Sequence, residues 1–184
     1  MTVTDSGSSV VDLILADHRS VQEMLGRFDT LSSDERSDYF CEVVHELVGH
    51  EMAEELVFYP ALRADARQGG AEADRRISEQ SKAERMLSEM EHMDPGSEEF
   101  TARFIQLREA VLEHASAEEQ SALPLLKEAQ TRPKLVELGA RYERVRAAAP
   151  THPHPHSRDT PPMNRIMAPV AAVVDRARDA MSRH

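Results

Sequence analysis

The chain contains one motif twice, and this repeat constrains the fold more than any other feature. The first copy, HEMAEELVFYPAL, occupies residues 50–62, and the second, HASAEEQSALPLL, occupies residues 114–126. Counted from the histidine, both copies have alanine at +3, glutamate at +4 and +5, proline at +10 and leucine at +12. The preceding segments, VVHELVG and LREAVLE, combine strong helix formers with apolar residues three and four positions apart. Both copies are therefore predicted to lie on helices.

The spacing within each copy favours a metal site. A step of four residues on an α-helix leaves two side chains only about 40° apart. His50 with Glu54, and His114 with Glu118, can therefore direct an imidazole and a carboxylate to the same point. Borderline divalent metals bind both donor types, and carboxylate-bridged di-iron bundles use them on facing helices. A single pair is more often an exposed helix contact, but the matched second copy favours ligands for two ions.

The composition predicts an all-α protein and excludes some partners. Glycine is sparse and tryptophan absent in the 184 residues, whereas alanine, glutamate, leucine and arginine are frequent. We expect an up-down-up-down four-helix bundle with extra C-terminal helices. The formal net charge of −11 argues against nucleic acid and anionic membranes as partners.

Targeting and redox signals are weak. No apolar run reaches the roughly 20 residues of a membrane span, and MTVTDSGSSV lacks the features of a signal peptide. We therefore expect a cytoplasmic protein. Cys41 is the single cysteine and cannot form an internal disulfide, so we expect it to be buried and inert.

Breaks in the pattern divide the chain into segments. The predicted helices of the bundle span about 10–31, 34–67, 71–92 and 98–129. The predicted organisation is a flexible tail, a four-helix bundle, an additional helix, a Pro/His-rich connector and a C-terminal amphipathic helix: residues 1–9, 10–131, 132–149, 150–164 and 165–184. Gly139 interrupts the additional helix. The last helix is expected to pack on the bundle or on a protein partner.

A histidine on the first helix extends the proposed site. His18 is predicted to face the bundle interior and precedes His50 by 32 residues. The same interval before His114 falls near Gln80, on the third helix. Gln80 and Glu84 form a polar i,i+4 pair there, so the position could be filled by Glu84, by the amide oxygen of Gln80 or by water. The alternative for Glu84, and the favoured one, is a solvated surface residue near Lys82 and Arg85.

Other residues with suitable chemistry receive no role in the site. His45 lies about 140° around the helix from His50, and Tyr59 is expected on the far side of the same helix. His92 is expected at a helix C-terminus, where an imidazolium suits the helix dipole. The histidines of the connector could capture Cu, Ni or Zn weakly, but a tethering strap is the simpler interpretation: His152, His154 and His156.

The order of these residues resembles a known family. The chain resembles the hemerythrin-like, or HHE cation-binding, family. The resemblance rests on the order of His18, the His50-x-x-x-Glu54 pair, a third-helix position and the second pair, together with the segments DHRSV and EELVFYPAL. The sequence THPHPH is similar to the tails of actinobacterial members. The resemblance implies a four-helix bundle around a non-haem di-iron centre, oxo- or hydroxo-bridged, that meets O2, H2O2 or NO.

The resemblance also implies roles for individual residues. His18, His50 and His114 would be terminal ligands, and Glu54 and Glu118 would bridge the metals. In this family the third helix normally offers a histidine where Gln80 stands. Its absence should weaken, alter or abolish binding of one ion.

Two classes of function follow from this pattern. The first is a di-iron protein that senses, stores or turns over a small ligand, with catalase-like activity towards peroxide as one form. Its water-excluding wall is predicted to contain four apolar residues: Leu47, Leu56, Phe58 and Leu112. The alternative is a structural or interaction bundle that holds one zinc or iron ion, or none. An oxygenase is less well supported, because nothing marks an organic substrate pocket.

Overall fold

The computed structural model describes residues 7–90 and 93–149, and every regular element in these ranges is helical. A 3-10 turn, Phe28–Thr30, follows the first helix, and two π-helical segments, Glu54–Phe58 and Glu118–Ala122, lie within the second and fourth long helices. The α-helices are α1 Val10–Arg27, α2 Ser33–Ala53, α3 Tyr59–Asp65, α4 Gly69–Met90, α5 Glu98–Ala117, α6 Leu123–Ala129 and α7 Arg132–Ala147.

Four long helical segments form the predicted bundle. They are α1, the α2–α3 pair, α4 and the α5–α6 pair, each joined to the next by a short connection. The additional helix, α7, packs against α1 and α2. The all-α bundle with an extra helix is therefore confirmed.

Both repeat copies contain a π-helical segment that the sequence analysis did not anticipate. Pro60 and Pro124 lie in the first turn of α3 and α6. A proline cannot donate to the carbonyl four residues earlier, and its ring clashes with that carbonyl in a regular helix. The helix widens instead and its hydrogen bond spans five residues, so that the backbone amide of Tyr59 bonds to the carbonyl of Glu54. Side chains beyond the π segment are rotated relative to a uniform helix.

The helix ends agree with the sequence chemistry in most places. Ser9 caps α1 in a reciprocal capping box with Asp12. In the turn after α3, Gln68 rather than one of the two following glycines adopts the left-handed conformation (φ 69°). Gly69 begins α4, where a Cβ atom would collide with the carbonyl oxygen of Leu62. Gly139 does not interrupt α7; it lets the helix pack closely on the backbone of Ser8.

The apolar core is divided into two clusters. One contains Phe28, Phe40, Phe100 and Phe104, and the other contains residues from α1, α3, α6 and α7, including Tyr59 and Tyr142. Buried polar residues are also present: His18, His50, Glu54, Gln80, Glu84, His114 and Glu118. Burial of this many ionisable groups is costly unless they are paired or bind a cation.

One expectation was wrong, and others concern residues that the structure does not describe. Cys41 is exposed, so the expectation of a buried thiol was wrong. His92, most of the tail, the Pro/His-rich connector and the C-terminal helix lie outside the described residues. Within the described ranges, none of the helices has the length and apolar character needed to cross a bilayer.

Candidate metal centre

Four buried side chains from three helical segments converge on one point. His18 on α1, His50 on α2, and Glu54 and Glu118 at the starts of the π segments each offer a donor atom, and these atoms lie within 4.8 Å of one another. His50 Nε2 lies 3.3 Å from Glu54 Oε1, and His18 Nε2 lies 3.3 Å from Glu118 Oε2. The structure therefore brings these four predicted site residues together.

The two carboxylates extend the site towards the second repeat copy. Glu118 Oε2 lies 3.3 Å from His18 Nε2 and 3.5 Å from His114 Nε2, between the two rings. Glu54 faces His50 with Oε1 and accepts a hydrogen bond from Gln80 Nε2 with Oε2. Each carboxylate thus contacts side chains from two other helical segments or repeat copies, and its role as a bridging ligand stays a prediction.

The site contains polar atoms that no hydrogen bond satisfies. Such atoms cost about 1–3 kcal/mol each when buried without a partner. Five donor or acceptor atoms of the site are in this state: His18 Nε2, Glu54 Oε1, Gln80 Oε1, His114 Nε2 and Glu118 Oε2. Nitrogen and carboxylate lone pairs directed into a closed space are what a borderline divalent cation binds. The residues present therefore fit a metal ion.

Outer hydrogen bonds orient two of the histidines. Nδ1 of His18 lies 2.9 Å from Glu119, and Nδ1 of His114 lies 3.1 Å from Glu79. A carboxylate accepts a proton from Nδ1, which leaves Nε2 as the inward lone pair. Such carboxylate partners are typical of metal-binding histidines. Glu119 is the +5 glutamate of the second repeat copy, so this position has a role beyond helix formation.

His50 is oriented by a tyrosine from α7. Tyr142 donates its hydroxyl proton to Asp17 (2.9 Å), so its oxygen is free to accept from His50 Nδ1 (2.8 Å). Asp17 is in turn held by Arg146 Nε at 3.0 Å. Burial opposes ionisation of Asp17, but contacts with His50 and Arg146 outweigh it and lower its pKa. The chain of contacts fixes the His50 tautomer with Nε2 facing the site.

Tyr59 also contacts the site, contrary to the sequence analysis. Its hydroxyl donates to Glu118 Oε1 at 2.6 Å. The expectation that it lies on the far side of the helix assumed 3.6 residues per turn from His50 onwards. The π segment that begins at Glu54 changes this rotation and brings the ring to the interior. The proline at +10 was the signal that could have revealed it.

The two carboxyl groups have opposite pKa shifts. Burial, followed by repulsion from Glu118, raises the pKa of Glu54 well above its usual value. Burial also opposes ionisation of Glu118, but the close approach of His18 and the charge of His114 lower its pKa to about 2. Glu54 is therefore the carboxyl group of the pair that is harder to ionise. A divalent cation bound at the cluster would favour the ionised form of both carboxyl groups.

A small cavity borders the site. Its volume is about 20 Å³, enough for one small molecule, and it touches His18, His50, His114 and Gln80. Its walls are otherwise mainly apolar: Val21, Leu47, Ala83, Val111, Leu112 and Ala115. Leu47 and Leu112 were predicted for this wall, whereas Leu56 and Phe58 belong to the apolar cluster around Tyr59.

Comparison with known proteins identifies the family. The model described as the hemerythrin HHE cation binding domain matches residues 9–126, more than half of the chain. The chain belongs to this family. It is 27% identical over 176 residues to an uncharacterized hemerythrin-like protein of Schizosaccharomyces pombe, covering 95% of this chain and 87% of that one.

Two further proteins resemble this HHE chain. A Nostoc protein described as a DNA nickase is 28% identical over 114 residues, which are 61% of this chain and 32% of that protein. The crystal structure of an HHE cation-binding domain-containing protein from Mycobacterium kansasii superposes with a TM-score of 0.67 at 22% identity, covering 76% of this chain and 88% of that chain. The latter supports the fold.

The remaining predicted residues have distinct positions relative to the HHE site. Glu84 is buried one helical turn after Gln80 but is not part of the four-residue cluster, so its role as a ligand stays a prediction. His45 is exposed. Tyr142, which the sequence analysis missed, lies beyond the HHE match and yet contacts His50.

Proposed function

We propose that this HHE chain is a non-haem iron protein that binds a small ligand, with H2O2, O2 and NO as the candidates. The observation that carries the proposal is the buried cluster of inward-facing, unsatisfied donors beside an apolar cavity of about 20 Å³. A cavity of this size has room for a ligand on the scale of one water molecule, which favours a very small ligand over an organic substrate.

The donors divide between two ions. His18, His50, Glu54 and Glu118 would hold the first. His114, with the shared carboxylates, would contribute to the second. When bound, iron in such a site supplies an open coordination position and one-electron redox chemistry. Zinc is the alternative metal for this donor set, and it would support ligand binding without redox chemistry.

The protein's own residues prepare the site in three ways. Glu119, Glu79 and Tyr142 accept the outer ring protons of the three histidines and hold each Nε2 inward. Tyr59 keeps Glu118 in place through its second oxygen. The apolar side chains of the cavity, including Leu47 and Val111, keep bulk water from the donors.

The proposal is tested by metal content and ligand response in the same sample. The full chain is expressed with added iron, its iron per chain is measured by mass spectrometry, and its near-ultraviolet absorbance is recorded before and after H2O2 or NO. We expect bound iron, an absorbance band that responds to at least one ligand and, for peroxide turnover, release of O2 as peroxide is consumed.

Two variants separate the site from incidental metal binding. His50→Ala removes a donor of the four-residue cluster and should lower the iron content by at least one ion per chain and abolish the absorbance response. His45→Ala removes an exposed histidine five residues earlier on α2 and should change neither. A chain with intact helices that binds no iron, or whose iron content is unchanged by His50→Ala, would contradict the proposal.

A further inference from the structure

The two halves of the site differ in donor chemistry. Subsite A comprises His18 Nε2, His50 Nε2, Glu54 Oε1 and Glu118 Oε2, which are two imidazole nitrogens and two carboxylate oxygens. Subsite B faces the second repeat copy. Its one imidazole is that of His114, whose Nε2 lies 3.5 Å from Glu118 Oε2.

Gln80 brings an oxygen donor to the site from α4. It is 1% exposed and borders the cavity that His18, His50 and His114 also line. Its Nε2 donates to Glu54 Oε2, and this bond fixes which end of the amide carries the oxygen. The remaining atom, Oε1, is buried and has no hydrogen-bond partner. An amide oxygen with free lone pairs is thus available as the third-helix counterpart of His18.

Donor type influences which metal a site prefers. Imidazole suits Fe and Zn, whereas carboxylate, carbonyl and water oxygens suit Mn, Mg and Ca. Every site binds Mn²⁺ more weakly than Fe²⁺ in absolute terms, so the relevant quantity is the preference for Fe²⁺ over Mn²⁺. This preference should be smaller where oxygen replaces nitrogen.

We propose that the two subsites differ in metal preference: subsite A favours Fe²⁺ or Zn²⁺ strongly, whereas the oxygen-rich subsite B, where Gln80 Oε1 is a ligand, favours Fe²⁺ over Mn²⁺ much less and is the one that accepts Mn²⁺ as the Mn:Fe ratio rises. The inference rests on the proposed binding of metal at this cluster and adds the metal preference of the second ion's site. The preferences differ because the two copies of the repeat meet different third partners: His18 in one half and Gln80 in the other.

Competitive loading of the metal-free full chain tests this proposal. The protein is incubated without oxygen in Fe²⁺ and Mn²⁺ at increasing Mn:Fe ratios, and both metals are counted by mass spectrometry. Bound Mn²⁺ is also followed by electron paramagnetic resonance. We expect manganese to reach a plateau at about one ion per chain while about one iron remains, because only subsite B is oxygen-rich.

Variants at Gln80 assign the plateau to this residue. Gln80→His should raise the Mn:Fe ratio needed for half-replacement by about tenfold or more. Gln80→Glu keeps an oxygen donor and should retain the manganese plateau. This variant shows whether the effect of Gln80→His comes from the donor atom or from disturbed packing at the buried position. Gln22→His adds a histidine at an exposed position on α1 and should have no effect.

The outcomes separate this inference from the proposed function. Parallel replacement of both irons by manganese, or two irons at every ratio, would overturn the inference while leaving metal binding intact. A single iron with no second ion would show that subsite B is not a metal site. Absence of any metal in a folded chain would remove the proposed function itself.

Discussion

Gln80 Nε2 lies 2.5 Å from Glu54 Oε2, and this hydrogen bond joins the third helix to a carboxylate of the metal centre. The glutamine stands at the position where the family resemblance led us to expect a histidine. Gln80 donates to the carboxyl group of Glu54. Burial and repulsion from Glu118 oppose ionisation of this group and raise the pKa of Glu54 well above its usual value. Gln80 therefore has a structural role in the metal-free protein.

The first prediction concerns Gln80→Leu. The change removes the donor to Glu54 and leaves a buried carboxyl oxygen unsatisfied, so the free energy of unfolding of the metal-free chain should fall by about 1–3 kcal/mol. Urea denaturation followed by circular dichroism measures it. Gln22→Leu, at an exposed position of α1, is the control and should change stability little. An equal effect of both variants would contradict the role assigned to the hydrogen bond.

The second prediction concerns Tyr142→Phe. Without the hydroxyl, Nδ1 of His50 loses the acceptor that fixes its tautomer, so metal affinity should fall by about 10–100-fold. Calorimetric titration with Zn²⁺, a redox-inert probe, measures this change. Tyr39→Phe also removes a tyrosine hydroxyl hydrogen bond, to the carbonyl of Met24, but lies in the other apolar cluster. It should lower stability by about 1 kcal/mol and leave Zn²⁺ affinity unchanged.

The third prediction concerns metal removal. A metal that binds only the folded chain adds about 2.7 kcal/mol of stability at a concentration of 100 Kd. For a chain of this size, that corresponds to an increase in Tm of about 5–10 °C. Differential scanning calorimetry with and without a chelator tests this expectation. Glu54→Gln should lose most of the increase, whereas an unchanged Tm in the wild-type chain would argue against tight binding at the cluster.

The fourth prediction concerns pH and the start of α1. Hydrogen bonds with Ser9 and Arg132 lower the pKa of Asp12 to about 2, below its value in an unfolded chain. A carboxyl group with a lowered pKa stabilises the fold above the unfolded value, near pH 4, and this contribution is lost as pH falls towards 2. Asp12 is half-exposed, so Asp12→Asn should cost only about 1 kcal/mol at pH 7.

The difference between wild type and Asp12→Asn should therefore shrink between pH 4 and pH 2. Urea denaturation at several pH values measures it. Asp34→Asn makes the same charge change in the first turn of α2 and should have a smaller effect at pH 7. A difference that grows on acidification would contradict the assigned sign.

Much of the site could be predicted because its residues obey local periodicity. The four-residue step placed His50 and Glu54 together. The interval from His18 to His50, counted back from His114, led close to Gln80, the third-helix position that corresponds to His18. The i,i+4 rule works here because α2 and α5 are regular up to the glutamate of each copy. Burial of His18 followed from its position on the apolar side of α1.

The residues that prediction missed depend on irregular or long-range structure. Tyr59 reaches Glu118 only because a π segment precedes it, and uniform helical rotation placed the ring on the wrong side. Tyr142 contacts His50 across a separation of 92 residues, and no local pattern specifies which helix packs over that histidine. Gly139, interpreted as a break, instead permits the close packing of α7 that makes this contact.

The contact between Tyr142 and His50 limits where this chain can be truncated without changing the metal centre. The family match ends at residue 126, and a fragment cut there would retain all the proposed carboxylate and imidazole donors. It would nevertheless lose α7, which covers α1 and α2, and with it the hydroxyl that orients one imidazole. A fragment that keeps this contact has to extend through the end of α7 at residue 147, beyond the boundary of the family match.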